Sequence, residues 1–221
     1  ILAVNGPASI NSFSQSLSNH PGPPASLTRR ATGTAPLYYQ WQKNTINISL
    51  ATNQTFTIAS VASGDAGNYQ CVVSNSLNSL TSGVATLTVN APTAITANPQ
   101  SQTNNPGTAA SFSAAATGTA PLRYQWQKNT VNIGLATNPT FTIASVASGD
   151  AGNYRCIVSN IVNATTSAVA TLTVNTQAAI TSNPQSLTNN PGALASFSVT
   201  ASGTAPLRYQ WQKNTVNIGL A

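Results

Sequence analysis

The chain has 221 residues, of which 41% are hydrophobic, 5% are charged and only two are acidic, giving a formal net charge of +6. That apolar fraction is enough to build packed cores and excludes a disordered chain. Two acids are too few for a calcium cage. Soluble proteins carry roughly 25% charged residues; here Ser, Thr, Asn, Ala and Gly take those places, while plentiful Thr, Val and Ile favour strands over helices.

In chain order, "ILAVNGP" at 1–7 matches "TLTVNAP" at 86–92 and reads as the final strand of a preceding unit. The segment "APLYYQWQKNTINISLATNQTFTIASVASGDAGNYQCVVSN" at 35–75 returns at 120–160 with few changes, and its first part returns at 205–221. Trp41, Trp126 and Trp211 recur every 85 residues (126 − 41; 211 − 126), and Cys71 and Cys156 keep the same interval (156 − 71). The spacing predicts two complete units at 8–92 and 93–177, followed by the opening half of a third at 178–221.

Within the second unit, Ala110, Phe112, Ala114 and Ala116 alternate with Ser111, Ser113 and Ala115 after an Asn105-Pro106-Gly107 turn, which predicts a half-buried strand. Leu122 to Lys128 places Tyr124 and Trp126 on one face, and Asn129-Thr130 then turns the chain into a short return strand. Phe141 and Ile143 mark another strand. Tyr154, Cys156 and Val158 point inward from the next, and Ala168 to Val174 forms the last. Short strands separated by turns predict a β-sandwich.

The spacing Phe141-x-Ile143-x-x-Val146-x-x-x-Asp150-x-Gly152-x-Tyr154-x-Cys156, with Trp126 upstream, resembles the immunoglobulin-like fold of the intermediate set, and more closely the tandem repeats of large bacterial surface proteins. The resemblance implies all-β tandem immunoglobulin-like sandwiches. It places Trp41, Trp126 and Trp211 on strand C against the core, and gives Tyr69 and Tyr154 the role of a hydroxyl-anchored corner on strand F. The family's other cysteine belongs four residues before the glycine of "ATG" or "ASG", where this chain has Arg29, Ala114 and Val199. Cys71 and Cys156, one per core, are therefore expected to be free thiols and the sandwiches to lack the inter-sheet disulfide. Arg29 breaks the pattern: either strand B of the first unit slips by one residue, or the side chain snorkels out, or this copy carries a sequence error.

Other residues are read structurally. Asp65 and Asp150 fall in the corner motif, where a carboxylate fixes backbone. His20, the only histidine, has no second ligand, so neither a metal nor a catalytic pair is expected. A cysteine nucleophile needs a base and a lowered pKa, which an apolar interior supplies to neither thiol. No cofactor and no enzymatic activity are expected. The cations are scattered and the aromatics are core positions, which argues against nucleic acid. Arg123, Lys128 and Arg155 cluster on or beside one sheet, but Tyr38 and Gln70 replace the two arginines in the first unit. Asn47, Asn53 and Asn163 lie in sequons and are candidate glycosylation acceptors, none shared by both units.

The linkers at 89–95 and 174–180 lack a Gly/Ser tether, so neighbouring domains are expected end to end. The half unit admits two explanations: a window cut from a longer repetitive protein, or strand donation between subunits. The function expected is that of a shaft, spacer or adhesive segment of a bacterial extracellular filament or cell-surface protein. Its partners would be neighbouring repeats, identical chains in a filament, and glycans. The alternative is a glycan- or protein-binding module using the sandwich-end loops, or a domain decorating a phage particle. No membrane span is visible, and an extracellular or cell-surface location rests on resemblance and composition.

Overall fold

The computed structural model describes residues 5–12 and 15–219, so the strand expected at 1–7 lies mostly outside the described residues. The first repeat contributes β1 (Ser9–Ile10), β2 (Leu17–Asn19), β3 (Ala25–Thr28), β4 (Ala31–Thr32), β5 (Tyr38–Lys43), β6 (Ile46–Asn47), β7 (Thr55–Ile58), β8 (Gly67–Ser74), β9 (Ser79–Thr81) and β10 (Ala85–Val89). One sheet runs β2-β10-β8-β5-β6, with β9 beside β8; β3 pairs with β7, and β1 with β4, in the facing layer. The β2–β10 pair is parallel, Leu17 lying opposite Leu87. All other pairs in this repeat are antiparallel.

The second repeat repeats this plan with β11 (Ala94–Ala97), β12 (Gln102–Asn104), β13 (Ala110–Ser113), β14 (Ala115–Thr117), β15 (Arg123–Lys128), β16 (Val131–Asn132), β17 (Thr140–Ile143), β18 (Gly152–Ser159), β19 (Ala164–Thr166) and β20 (Ala170–Val174). Its sheet order is β12-β20-β18-β15-β16. Among the described residues, helix is confined to two single 3-10 turns, Ser63–Asp65 and Ser148–Asp150.

Alternation of side chains fixes which face is buried. Along β8, Tyr69, Cys71 and Val73 are all at most 1% exposed, while the residues between them are not buried. Tyr154, Cys156 and Val158 do the same along β18. Ala25 and Leu27 from β3, with Ala85 and Leu87 from β10, close the first core. The aromatic content differs between the two cores. In the second, Phe112, Trp126, Phe141 and Tyr154 form a continuous ring cluster, with Phe112 stacked 4.6 Å from Tyr154. In the first, Leu27 occupies the place of Phe112, and Trp41, Phe56 and Tyr69 make a chain of three rings.

The hairpins β5–β6 and β15–β16 turn at Asn44-Thr45 and Asn129-Thr130, all four at positive φ, the sense that a two-residue hairpin turn requires. Asparagine tolerates that region, but a β-branched threonine at φ 71, as at Thr130, is strained. Thr130→Gly is therefore expected to stabilise the second repeat by about 0.5–1 kcal/mol, read as a rise in its melting midpoint.

Residues 178–219 follow the first half of the same plan less completely. β21 (Ala179–Ser182) pairs with β22 (Thr200–Ser202), and β23 (Gln212–Lys213) with β24 (Val216–Asn217). Trp211, expected on strand C against a core, is only partly buried and precedes the two-residue strand. The reason is non-local. β5 is held in the first sheet by β8, Trp41 lying opposite Cys71, and β15 neighbours β18 in the second, whereas no such partner lies beside 208–211 among the described residues. Phe197, at the position of the fully buried Phe112, is 52% exposed for the same reason.

Candidate functional site

The residues with the most chemistry converge on the inner face of β5 and β8 in the first repeat, and of β15 and β18 in the second. Trp41 and Trp126 have no accessible surface. Each satisfies its indole N–H locally: Trp41 Nε1 donates to the Asn53 carbonyl at 3.0 Å, and Trp126 Nε1 to that of Asn138 at 2.9 Å. The hydroxyls of Tyr69 and Tyr154 donate to the carbonyls of Asp65 and Asp150 at 2.7 Å, which ties the turn before strand F to the strand itself. Asp65 and Asp150 Oδ2 accept the N–H of Ala62 and Ala147 at 2.8 Å. Both carboxylates are thus engaged in holding a turn.

Cys71 and Cys156 are free, with no accessible surface. Burial pushes both thiols above their ordinary pKa; backbone N–H groups of Gln40 and Gln125 oppose this, as does the Arg29 charge at Cys71. Burial first, and then the nearby aspartate, likewise raise the Tyr69 and Tyr154 phenols. Groups whose acidic form is favoured by folding contribute full stability below their unfolded pKa and lose it as pH climbs toward the folded value. Both repeats should therefore soften as pH rises above about 8.5, where an unfolded thiol ionises, and the thiol share of this loss should vanish in Cys71→Ala and Cys156→Ala. In the same melts reductant should leave the midpoint unchanged, and a disulfide-exchange reagent should label two thiols only on unfolding.

Arg29 corrects both conformations expected of it. It is 0% exposed, so it does not snorkel. Nor does strand B slip: Leu27 faces Phe56 just as Phe112 faces Phe141 in the other repeat. A one-residue slip would turn Ala25 and Leu27 out to water, and that register carries Arg29 inward. Its Nη2 donates to the Gly83 carbonyl at 2.8 Å, and the guanidinium lies 5.8 Å from the Trp41 ring centroid. Among the described residues Nε and Nη1 have no hydrogen-bond partner, and burial lowers the guanidinium's pKa.

Several structural residues escaped the sequence reading. Ser82 and Ser167 are nearly buried and accept the N–H of Cys71 and Cys156 at 2.9 Å. Gln40, Gln125 and Gln210 each donate to a tryptophan carbonyl and to the carbonyl of Ile48, Ile133 or Ile218, just past the return strand of the hairpin. The signal for both was their recurrence at 85-residue spacing. Of the sequon asparagines, Asn47, Asn53 and Asn163 are all exposed. Asn163 is also a clamp: its Oδ1 accepts from Thr93 N–H at 2.6 Å and from Thr93 Oγ1 at 2.9 Å, and its Nδ2 donates to Thr165 at 3.3 Å. Asn78 holds Ala8 in the same way in the first repeat.

The basic residues of the second repeat are also partly committed to its fold. Arg155 Nε donates to Gln127 at 2.7 Å, and Lys128 Nζ donates to the Gly149 carbonyl. His20 is exposed, with Nδ1 3.0 Å from the Pro21 carbonyl. Among the described residues no group of three or more His, Cys, Asp and Glu side chains is placed to hold a metal ion. No helix among them is long and apolar enough to cross a membrane.

Paired sheets in this order, a parallel pairing of β2 with β10 and of β12 with β20, a buried tryptophan and a tyrosine corner define tandem immunoglobulin-type sandwiches. The family model described as "Immunoglobulin domain" matches residues 7–75 and 92–160, and the chain belongs to that family. A three-domain titin fragment superposes with a TM-score of 0.76 at 21% identity, covering 98% of this chain and 82% of the fragment, which is a likeness of fold. The four N-terminal immunoglobulin domains of Dscam1 match at 26% identity and a TM-score of 0.57, covering 78% of this chain and 47% of theirs. The mouse basement membrane-specific heparan sulfate proteoglycan core protein is 32% identical over 163 residues, 70% of this chain and 4% of that protein. Chicken cell adhesion molecule DSCAM is 31% identical over 82% of this chain and 10% of its own length. The chain thus spans a small fraction of the curated relatives it matches, whose names describe cell-surface adhesion and extracellular matrix proteins.

Proposed function

We propose that the chain is a non-enzymatic structural segment, a spacer able to take part in adhesion, of a larger extracellular or cell-surface protein built from tandem immunoglobulin domains. The observation that supports this best is the use both repeats make of their reactive groups. Each aspartate holds a backbone N–H, each corner tyrosine holds an aspartate carbonyl, and each cysteine is buried as a thiol. A nucleophile or general base needs a pKa shifted toward neutrality, and burial moves these thiols the other way. No host enters this reading: the repeat pattern resembles bacterial surface arrays, while the matched relatives named above are animal proteins.

A spacer is indifferent to which repeat occupies which place. Exchanging the two complete repeats within the parent protein, or duplicating one, should leave its attachment activity intact. Saturable, sub-micromolar binding of the isolated chain to a glycan or protein array, abolished by changes in the loops at the sandwich ends, would favour the binding-module alternative instead.

A further inference from the structure

We infer that the outer edges of β7 and β17 are self-association sites, at which a second copy of this chain adds its own strand. The hydrogen-bond phase of these strands identifies the free groups. Arg29 N–H bonds to the Gln54 carbonyl at 3.1 Å, and Ala114 N–H to that of Pro139 at 3.0 Å. In an antiparallel ladder every second residue faces the partner strand, so Gln54, Phe56 and Ile58 face β3, and Thr55 and Thr57 turn their N–H and C=O groups outward. Pro139, Phe141 and Ile143 face β13 in the same way, leaving Thr140 and Thr142 outward. Among the described residues nothing pairs with either edge, and all four threonines are exposed.

Natural sheets protect such edges with charge, proline or a bulge. Here the strands read Thr-Phe-Thr-Ile in both repeats, with regular registers; Pro139, just before β17, is in the phase that faces β13 and so does not block the outer edge, and residues 44–64 and 129–147 contain no charged side chain. The net charge of +6 is therefore carried elsewhere, and two like edges meet without local repulsion. Leu50 and Leu135, on the loops leading into these strands, are 91% and 97% exposed and held at φ 60. Each lines a groove along the edge, about 390 Å³ beside β7 and about 220 Å³ beside β17. An apolar side chain in a strained conformation with nothing covering it in its own repeat fits a surface that is buried by something else.

The occupant is set by self-complementarity. With Thr55 of one copy opposite Thr57 of the other, and Phe56 opposite Phe56, a two-fold axis forms four inter-chain backbone bonds. Because the sequences are identical, β7 and β17 are interchangeable in this pairing. The short strand protects against runaway aggregation and makes the contact weak, with a Kd of about 0.1–1 mM.

Sedimentation equilibrium and amide NMR on the intact chain test this. Self-association in that range is expected, with shifts and slowed exchange at the Thr55, Thr57, Thr140 and Thr142 amides while those of Phe56 and Phe141 stay as they are. Thr57→Lys combined with Thr142→Lys should weaken association at least tenfold with little change in the melting midpoint, since neither backbone bonds to β3 or β13 and the hydroxyl bonds lost, Thr57 to Ser26 at 2.9 Å and Thr142 to Ser111 at 3.2 Å, are exposed to water. Leu50→Asn with Leu135→Asn, which suits the left-handed backbone, should also weaken it. A chain that stays monomeric to about 2 mM, association that survives the lysine pair, or shifts that map to other residues would each overturn the inference. The spacer reading survives all three results.

Discussion

Replacing Arg29 with methionine is expected to stabilise the first repeat by about 2 kcal/mol, raising its midpoint by roughly 8–16 °C for a domain of this size. The guanidinium is fully buried, with Nε and Nη1 unbonded among the described residues, and each buried unsatisfied group costs about 1–3 kcal/mol. Against this stand the single bond to Gly83 and the cation over the Trp41 ring, the latter worth about 0.5–2 kcal/mol. Methionine keeps most of the volume and fills irregular space. The second repeat supplies an internal control, because Ala114 occupies the matching position and its transition should not move. A fall in the first midpoint would mean that the Gly83 bond and the packing of Arg29 on Trp41 outweigh the unpaired N–H groups.

Trp126→Ala should have the largest effect of all, a loss of about 3–5 kcal/mol from a unit whose whole stability is of order 5–15 kcal/mol. The indole touches Phe112 and Phe141 and holds the Asn138 carbonyl, so its removal opens a cavity beside the stacked Phe112 and Tyr154 rings and leaves that carbonyl without this donor. Calorimetry should show one transition collapsing toward ambient temperature while that of the first repeat persists. Trp126→Phe, which retains a ring, should recover a substantial part of the loss.

The strands that build each core were legible because their apolar residues alternate over short segments, whereas the roles of the corner residues came only from the resemblance of the Asp, Gly, Tyr and Cys spacing to the immunoglobulin-like pattern. The missing disulfide was legible for a simpler reason, the absence of a second cysteine in each unit. Arg29 was misread because a charge at an inward position is unfavourable taken alone, whereas its place is decided by the alternation of Ala25 and Leu27 along the same strand. Trp211 was misread because β5 and β15 depend on neighbours about 30 residues further along, which local spacing does not reveal. Ser82 and Ser167 were missed because serine in a serine-rich chain looks like surface; only their constant separation of 11 residues from Cys71 and Cys156 marks them.

The hydrogen bonds at the junction between repeats bear on how the molecule can be dissected. Asn90 N–H is held by the Asn19 carbonyl at 2.7 Å, whereas the next residue, Ala91, donates to Thr119 Oγ1 at 2.8 Å, and its carbonyl accepts from Asn160 at 2.8 Å. The backbone partners change from the first repeat to the second between Asn90 and Ala91. An excised second repeat that starts at Thr93 forfeits those anchors, and one that starts at Ala91 keeps them.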